Sequence, residues 1–114
     1  MKDIFADDVA PQAVQKKLLE KDIQKTCVDW ARNRGWWGRK FSSPANRSVP
    51  DYLFSRNCRY GKIKFFTEFK APGKKATDAQ LEEQRLMLIA GWIGLQECDR
   101  VAMFKEFVLA LETC

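Results

Sequence analysis

The sequence predicts an α/β domain whose elements follow the order helix, three strands, helix, strand and helix. Two observations support this fold class. Apolar residues recur at three- and four-residue steps in the helical segments, and short segments rich in aromatic residues lie between turn-forming residues. The chain has 114 residues, which is the length of one domain. We expect residues 1–11 to form a loose leader and residues 12–114 to form the single domain.

The first helix is predicted to follow Pro11 and to end before Gly35. Basic residues near the end of this segment interact favourably with a helix C-terminus, and glycine is favoured just beyond it. Glu20 and Gln24 lie four residues apart and therefore share one face of the helix. The apolar residues at helical spacing are Val14, Leu18, Leu19, Ile23, Cys27, Val28, Trp30 and Ala31.

Three strands are predicted next, at residues 36–41, 51–55 (DYLFS) and 63–70 (IKFFTEFK). The segment 42–50 (SSPANRSVP) is rich in Ser, Pro and Asn, which favour turns. Residues 56–61 are predicted to form a turn between the second and third strands. Residues 71–75 contain Pro72 and Gly73 and are predicted to form a loop, because proline cannot continue a strand ladder.

The last part of the chain is predicted to contain a helix, a strand and a further helix. Thr77 or Asp78 caps the first of these helices, which stops at Gly91. Residues 92–96 (WIGLQ) form the fourth strand, which we expect to be parallel to a neighbour because it follows a helical crossover. Asp99 is predicted to cap the last helix. One face of that helix carries Val101, Phe104, Val108 and Leu111.

The composition excludes sites that depend on histidine and argues against a membrane span or a signal peptide. The chain has no histidine, so a Ser-His-Asp triad, a Cys-His pair and a His-ligated zinc site are impossible. No apolar run approaches the roughly 20 residues of a membrane span, and the acidic N-terminus lacks a signal-peptide core. We therefore expect a cytoplasmic protein with reduced thiols, mostly in the core, and with Cys114 exposed. The cysteines are Cys27, Cys58, Cys98 and Cys114.

Positive charge is concentrated in the middle of the chain. The formal net charge is +5, and between Trp30 and Thr67 the only acid is Asp51. A lone acid in a basic segment is typical of a site that receives phosphates around a metal ion. A solvated basic surface without a partner is the alternative. The basic residues of this span are Arg32, Arg34, Arg39, Lys40, Arg47, Arg56, Arg59, Lys62 and Lys64.

The most informative motif is Glu68-Phe69-Lys70, at the end of the third strand. Residues i and i+2 of a strand point to one face, so Glu68 and Lys70 project together. Asp51 can meet them from a neighbouring strand. Two carboxylates can hold a hard divalent cation, and a nearby lysine can stabilise a negatively charged nucleophile or phosphate. The motif therefore favours metal-dependent cleavage of a phosphodiester, with a surface Glu68–Lys70 pair as the alternative.

Several motifs occur together over residues 18–112, and their order is more specific than any one of them. They are Glu20 in LLEKDIQ, Pro50-Asp51, Glu68-Phe69-Lys70, Gln80 on the second helix and Gly91 before the last strand. In this combination the chain resembles the PD-(D/E)xK nuclease superfamily, whose core is αβββαβ. Here a C-terminal helix follows that core. More narrowly, the chain resembles stand-alone VRR-NUC domains of phages and bacteria. Ser48 replaces the glycine of the usual G-x-P-D, and serine tolerates a positive φ less well.

The resemblance implies roles for the matching residues. Asp51 and Glu68, with the backbone carbonyl of Phe69, are the implied ligands of Mg²⁺ or Mn²⁺. Lys70 would orient or deprotonate the attacking water. Glu20 would bind metal through water or complete a second site, unless it is an ordinary helix-surface acid. Gln80 would position Lys70 or the water, unless it is an ordinary polar residue at a helix N-terminus.

Basic and aromatic residues near these motifs are candidates for contacts with nucleic acid. Arg39, Lys40 and Arg47 flank the loop before Asp51 and are predicted to bind phosphates. Lys74 and Lys75 either grip the DNA backbone or only solubilise their loop. Trp36 and Trp37 are adjacent and therefore point to opposite faces. One is expected in the core; the other can stack on a base or pack against a partner subunit, although burial is favoured for both.

The function implied by the resemblance is that of a Mg²⁺- or Mn²⁺-dependent DNA endonuclease. Stand-alone members resemble structure-selective nucleases of branched DNA, such as four-way junctions, and the resemblance implies a homodimer. A phage-encoded protein of this kind would work in the cytoplasm of the host cell, without a nucleotide cofactor and away from membranes. Two alternatives remain open. One is a catalytically inactive DNA-binding or complex-forming module, and the other is an RNA-directed nuclease.

Overall fold

The computed structural model of the chain describes residues 12–113, with side chains from residue 19 onward. The predicted leader at residues 1–11 and Cys114 lie outside the described residues. Within them there are three helices, α1 (Gln12–Asn33), α2 (Asp78–Ile89) and α3 (Val101–Leu111). The strands are β1 (Trp37–Lys40), β2 (Tyr52–Cys58), β3 (Gly61–Phe69) and β4 (Ile93–Cys98). The predicted α/β class and element order are therefore confirmed.

The four strands form one mixed sheet in the order β1-β2-β3-β4. β1 and β2 are antiparallel, with Gly38 opposite Phe54, and β2 and β3 are antiparallel, with Leu53 opposite Phe66. β4 is parallel to β3, as predicted for a strand that follows a helical crossover. The register between β3 and β4 shifts between Thr67 and Phe69, at the end of β3 that carries the Glu68-Phe69-Lys70 motif.

The main core lies between one face of the sheet and the helices α1 and α3. Phe54 and Phe65 stack with ring centroids 4.8 Å apart, and Phe104 of α3 packs against both rings. Because side chains alternate along a strand, Phe66 and Glu68 face the other side of the sheet, where α2 lies. The buried core residues are Cys27, Val28, Ala31, Trp36, Phe54, Phe65, Phe69, Cys98, Phe104 and Val108.

The second strand is longer than predicted. Residues 56–58 were expected in a turn, but they continue β2 and pair with β3 as far as Cys58 opposite Gly61. The turn is reduced to Arg59 and Tyr60. The prediction was wrong here because cross-strand pairing with β3 outweighs the weak strand preference of Arg56 and Asn57.

Helix ends follow the predictions in three places and depart from them in one. Gly35 and Gly91 follow α1 and α2 with φ values of 94° and 103°, a conformation that glycine adopts without strain. Thr77 caps α2 with its side chain. Asp99 does not cap α3, because the residue at that position is Arg100, which makes no side-chain cap. Asp99 instead accepts hydrogen bonds from the Gly73 amide and from Arg100.

The adjacent tryptophans are separated as their sequence positions require. Trp36 is buried, and its indole Nε1 donates a hydrogen bond to Glu112. Trp37 is 52% exposed, so the preference for burial of both rings was wrong for Trp37. Cys27 and Cys98 are fully buried, in agreement with their predicted place in the core. None of the helices, over the residues described, has the length and apolar character needed to cross a membrane.

Candidate active site

The end of β3 brings Glu68 and Lys70 together with Asp51. Lys70 Nζ lies 3.5 Å from Glu68 Oε2, as expected for residues two apart on a strand. Asp51 stands directly before β2, and its Oδ2 accepts a hydrogen bond of 2.9 Å from the Phe69 amide. The backbone of Lys70 is fixed from the other side, because its amide donates to the Cys98 carbonyl of β4. Two neighbouring strands therefore hold the three residues at one end of β3.

Gln80, in the first turn of α2, completes this cluster. Its Oε1 accepts hydrogen bonds from Lys70 Nζ and from the Thr77 amide, both 2.9 Å long. Its Nε2 donates to Glu68 Oε2 over 3.2 Å. The opposite amide orientation would point an NH₂ group at two donors, so the network itself fixes the orientation. One side chain thus links the helix start to both charged residues.

Glu68 is a buried carboxylate that is only half paired. The residue is 3% exposed, and burial, followed by repulsion from Asp51, raises the pKa of Glu68 to about 7 against the opposing effect of Lys70. Oε2 has the two partners described above, whereas Oε1 is buried and has no hydrogen-bond partner among the described residues. A buried, unpaired carboxylate oxygen is costly in a folded protein, and a cation would satisfy it.

Asp51 shares this environment. Burial raises the pKa of Asp51 above its ordinary value, while the hydrogen bond from the Phe69 amide and the charge of Lys40 act in the opposite direction. Two carboxyl groups with raised pKa values beside each other indicate a site that is short of positive charge. Lys70 supplies part of that charge.

The donor set fits a hard divalent cation with few protein ligands. Among residues 19–113, no group of three or more His, Cys, Asp or Glu side chains is close enough to hold a metal ion. The pair Asp51 and Glu68, with the Phe69 carbonyl, provides oxygen ligands only. Mg²⁺ commonly binds through one or two carboxylates and keeps several waters. The unpaired Glu68 Oε1 is the observation in favour of this fit.

Glu20 lies at the border of the cluster rather than within it. Its Oε1 accepts a hydrogen bond of 3.2 Å from the Ala71 amide, one residue after Lys70. Its charge is close enough to act on both Asp51 and Glu68 and raises the pKa of each. Glu20 therefore anchors the chain where it leaves β3 and adds negative charge beside the carboxylate pair.

The predicted phosphate-binding residues fall into three groups. Lys40, Arg47 and Asp51 line a hollow of about 340 Å³ formed by the loop before β2. Arg39 lies on β1, with its guanidinium 5.1 Å from the Trp37 ring. Lys74 and Lys75 are exposed in the loop after β3. The first group is thus adjacent to the Asp51 carboxylate, and the other residues lie on exposed surfaces of β1 and of the loop after Lys70.

Sequence reasoning missed how the loop at residues 70–77 is held. Thr77 and Gln80 form a capping box, in which each side chain accepts a hydrogen bond from the other residue's amide. The pattern Thr-x-x-Gln is the signal that predicts it. Glu97 accepts a hydrogen bond of 2.8 Å from the Ala76 amide, and no local pattern predicts this contact because the residues lie on different elements.

Comparison with known proteins identifies a relative of this chain. No protein-family model matches the sequence. The protein described as "Putative nuclease p44", from Acyrthosiphon pisum secondary endosymbiont phage 1, is 42% identical over 74 residues. The match covers 65% of this chain and 76% of the phage protein. The chain therefore belongs to the nuclease family represented by this phage protein.

Proposed function

We propose that the protein is a divalent-metal-dependent DNA endonuclease of the VRR-NUC type, within the PD-(D/E)xK superfamily. The observation that carries the proposal is the cluster of Asp51, Glu68, Lys70 and Gln80, in which Glu68 Oε1 is buried without a partner. The strand order of the sheet, with β4 parallel to β3, and the nuclease name of the phage relative support the same conclusion.

In this proposal the carboxylates of Asp51 and Glu68 and the Phe69 carbonyl hold Mg²⁺ or Mn²⁺. When bound, the cation supplies a Lewis acid for the scissile phosphate and lowers the pKa of a coordinated water. The Asp51 carboxylate keeps its geometry through the Phe69 amide. Glu20 adds charge at the border of the site and is a candidate for contact through water.

Lys70 is proposed to act on the attacking water and the phosphate without contacting the metal ion. Its ammonium group is nearly buried and is aimed by Gln80 Oε1 and Glu68 Oε2. A fixed positive charge at this point orients the attacking water and stabilises charge that develops on the phosphate. Because Gln80 holds Lys70 without a charge of its own, it leaves that positive charge available. Lys40 and Arg47, in the hollow beside Asp51, bind the phosphates of the substrate.

We further propose that the substrate is branched DNA, such as a four-way junction, and that two copies of the chain act as a homodimer. The exposed apolar residues of α2 support pairing, because contact with a second copy would remove their apolar surface from water. These residues are Leu81, Leu86, Leu88 and Ile89. Sedimentation of the purified protein measures the oligomeric state directly, and a monomer at all concentrations would remove the dimer from the proposal.

The test is a cleavage panel with Lys70→Ala and a matched surface control. Single-stranded, duplex, flap and four-way DNA substrates, with RNA counterparts, are incubated with Mg²⁺, Mn²⁺ or a chelator. We expect metal-dependent cleavage by the wild type and by Lys21→Ala, which removes an exposed lysine of α1, and no cleavage by Lys70→Ala. Cleavage by Lys70→Ala at the wild-type rate would refute the mechanism. Binding of DNA without cleavage or metal uptake would indicate an inactive module, and preference for RNA would indicate an RNA-directed nuclease.

A further inference from the structure

We propose that the part of the sheet not covered by α2 binds unpaired nucleotides of the substrate, with Trp37 stacking on a base. This inference rests on the proposed function, because it describes how the substrate strand reaches the candidate active site. It adds a stacking residue and a substrate feature, a single-stranded segment beside the cleavage point. The surface is called the open sheet face below and consists of Trp37, Arg39, Ser55, Asn57, Lys62 and Lys64.

The strand register places these residues on one face. Trp37 pairs with Ser55, and Ser55 pairs with Lys64. Asn57 pairs with Lys62 in the next row toward the β2–β3 turn. Directly opposed residues of antiparallel strands point to the same side of a sheet. The open sheet face is therefore a continuous surface across β1, β2 and β3.

This face lies on the same side of the sheet as Glu68. Lys62, Lys64, Phe66 and Glu68 alternate along β3, so they share one side of the sheet. At a rise of about 3.3 Å per residue, Lys64 lies roughly 13 Å from Glu68 along the strand. Phe66 between them is fully buried, so the exposed part of this side begins at Lys64 and continues to Lys62.

The charge of the open sheet face matches a phosphate backbone. Arg39, Lys62 and Lys64 are exposed, and Glu68 is the only acid within the residues of β1, β2 and β3. α2 covers the opposite edge of the sheet at β4 and brings Gln80 to the site, but its described residues leave Arg39 and Lys64 exposed to solvent. Such a surface attracts nucleic acid and leaves room for it.

Trp37 has the properties of a stacking platform. Half of its surface is exposed, and the Arg39 guanidinium lies 5.1 Å from the ring centroid. Beside it is an open hollow of about 420 Å³, lined by Gly35, Trp37, Ser55, Arg56, Asn57 and Lys62. This volume falls within the roughly 300–1,000 Å³ typical of pockets for small organic groups. A nucleobase stacked on the indole would occupy the hollow, with its phosphate near Lys62.

The arrangement favours unpaired nucleotides over duplex DNA. Stacking on a side chain requires a base with an uncovered face, and the bases of a duplex are covered by their neighbours. Stacking of this kind tolerates any base, because every base has a π-face. The ligand is therefore a single strand without sequence preference, such as the unpaired arm of a branched substrate.

The test measures binding without cleavage, by fluorescence anisotropy of a labelled oligothymidylate in the presence of a chelator. We expect Trp37→Ala to weaken binding about tenfold or more, and Trp37→Phe to stay within about threefold of the wild type. Binding of a blunt duplex should change less than about twofold in either variant. Lys64→Ala should lower the salt slope of single-strand binding by about 0.7. Because Trp37 is half exposed, we expect both Trp37 variants to stay folded, and circular dichroism checks this.

An abasic oligonucleotide makes the test independent of folding. Wild-type protein should bind it about tenfold more weakly than the oligothymidylate, whereas Trp37→Ala should bind the two alike. Equal binding of both ligands by the wild type, or equal losses for single strand and duplex in Trp37→Ala, would overturn the inference. The outcomes are distinct from those of the proposed function. A wild type that cuts DNA without any effect of Trp37 removes only this inference, and Trp37-dependent binding without cleavage removes only the nuclease.

Discussion

Lys70 Nζ donates a hydrogen bond of 2.9 Å to Gln80 Oε1, and the same oxygen accepts a hydrogen bond from the amide of Thr77, the N-cap of α2. Gln80 therefore belongs to the helix cap and to the candidate active site at once. The position of the Lys70 ammonium depends on the first turn of a helix from another part of the chain. This shared residue allows capping and catalysis to be separated by mutation.

We expect Gln80→Ala and Thr77→Ala both to lose stability through the cap and to differ in their effect on cleavage. Each variant loses part of the capping box, which costs about 1 kcal/mol of unfolding free energy. Only Gln80→Ala also releases Lys70 and Glu68, so its cleavage rate should fall more than tenfold, while Thr77→Ala stays near the wild type. Urea unfolding and single-turnover cleavage measure the two quantities. Equal cleavage rates for the two variants would show that Gln80 acts only as a cap.

Removal of either carboxylate should strongly weaken metal binding. Asp51→Asn and Glu68→Gln each remove one of two side-chain ligands, so we expect Mn²⁺ affinity to fall at least tenfold in calorimetry. Added Mn²⁺ should raise the melting temperature of the wild type, because a ligand of the native state stabilises it, and should leave both variants unchanged. Glu20→Gln, at the border of the site, serves as the comparison and should lose less affinity. A normal Mn²⁺ titration of Asp51→Asn would contradict the assignment.

A methyl group at position 94 should destabilise the sheet. Gly94 lies opposite Phe66 in the β3–β4 pair, and a Cβ atom there would overlap the fully buried Phe66 ring. Gly94 has no positive φ, so the cost comes from lack of space rather than from backbone strain. We expect Gly94→Ala to lose about 1–3 kcal/mol in denaturant unfolding, whereas Ser42→Ala, in an exposed loop, should stay within about 0.5 kcal/mol. An unchanged Gly94→Ala would mean that Phe66 has room to move.

Acid should weaken the attachment of the end of α3. Glu112 Oε2 accepts a hydrogen bond of 2.9 Å from Trp36 Nε1 and pairs with Arg56 over 2.8 Å, and Arg34 contacts the same carboxylate. The hydrogen bond from Arg34, with help from Trp36 and Arg56, holds the pKa of Glu112 below its ordinary value. A lowered pKa in the folded state means that the unfolded chain binds the proton first as pH falls.

The stabilisation by Glu112 is therefore complete above its unfolded pKa of roughly 4.3 and is lost as pH falls through the lower folded value. We expect Glu112→Gln, which keeps an acceptor for Trp36, to be less stable than the wild type at pH 7. The difference should shrink once the pH drops below that ordinary glutamate pKa. Unfolding by urea at a series of pH values measures it. A difference that stays constant across this range would show that the ion pairs add nothing.

Local patterns predicted most of the fold. The apolar spacing of residues 14–31 predicted α1, and Gly35 and Gly91 predicted the ends of two helices. The extension of β2 through Cys58 was missed, because Arg56 and Asn57 have weak strand preference and pair only once β3 lies beside them. Asp99 was misassigned as a cap, because α3 begins one residue later, with Arg100 at the cap position. Asp99 instead accepts a hydrogen bond from the Gly73 amide, 26 residues away in the chain.

The candidate site was predictable as a set of residues but not as a network. The spacing of Glu68 and Lys70 on a strand is enough to place them side by side. The hydrogen bonds from Gln80 to both of them depend on where α2 packs against the sheet, and the spacing of apolar residues in the sequence does not predict that position. The sequence likewise did not predict that Trp37 is exposed, because a tryptophan in a short aromatic segment is more often buried.

The hydrogen bond between the Lys70 amide and the Cys98 carbonyl has a consequence for folding during protein synthesis. β4 is made after β3, and their parallel pairing cannot begin until the crossover helix and β4 itself have emerged from the ribosome. A nascent polypeptide that has not reached residue 98 therefore lacks the strand that fixes the end of β3. The order of translation thus delays completion of the network around Lys70 until α2 and β4 have been made.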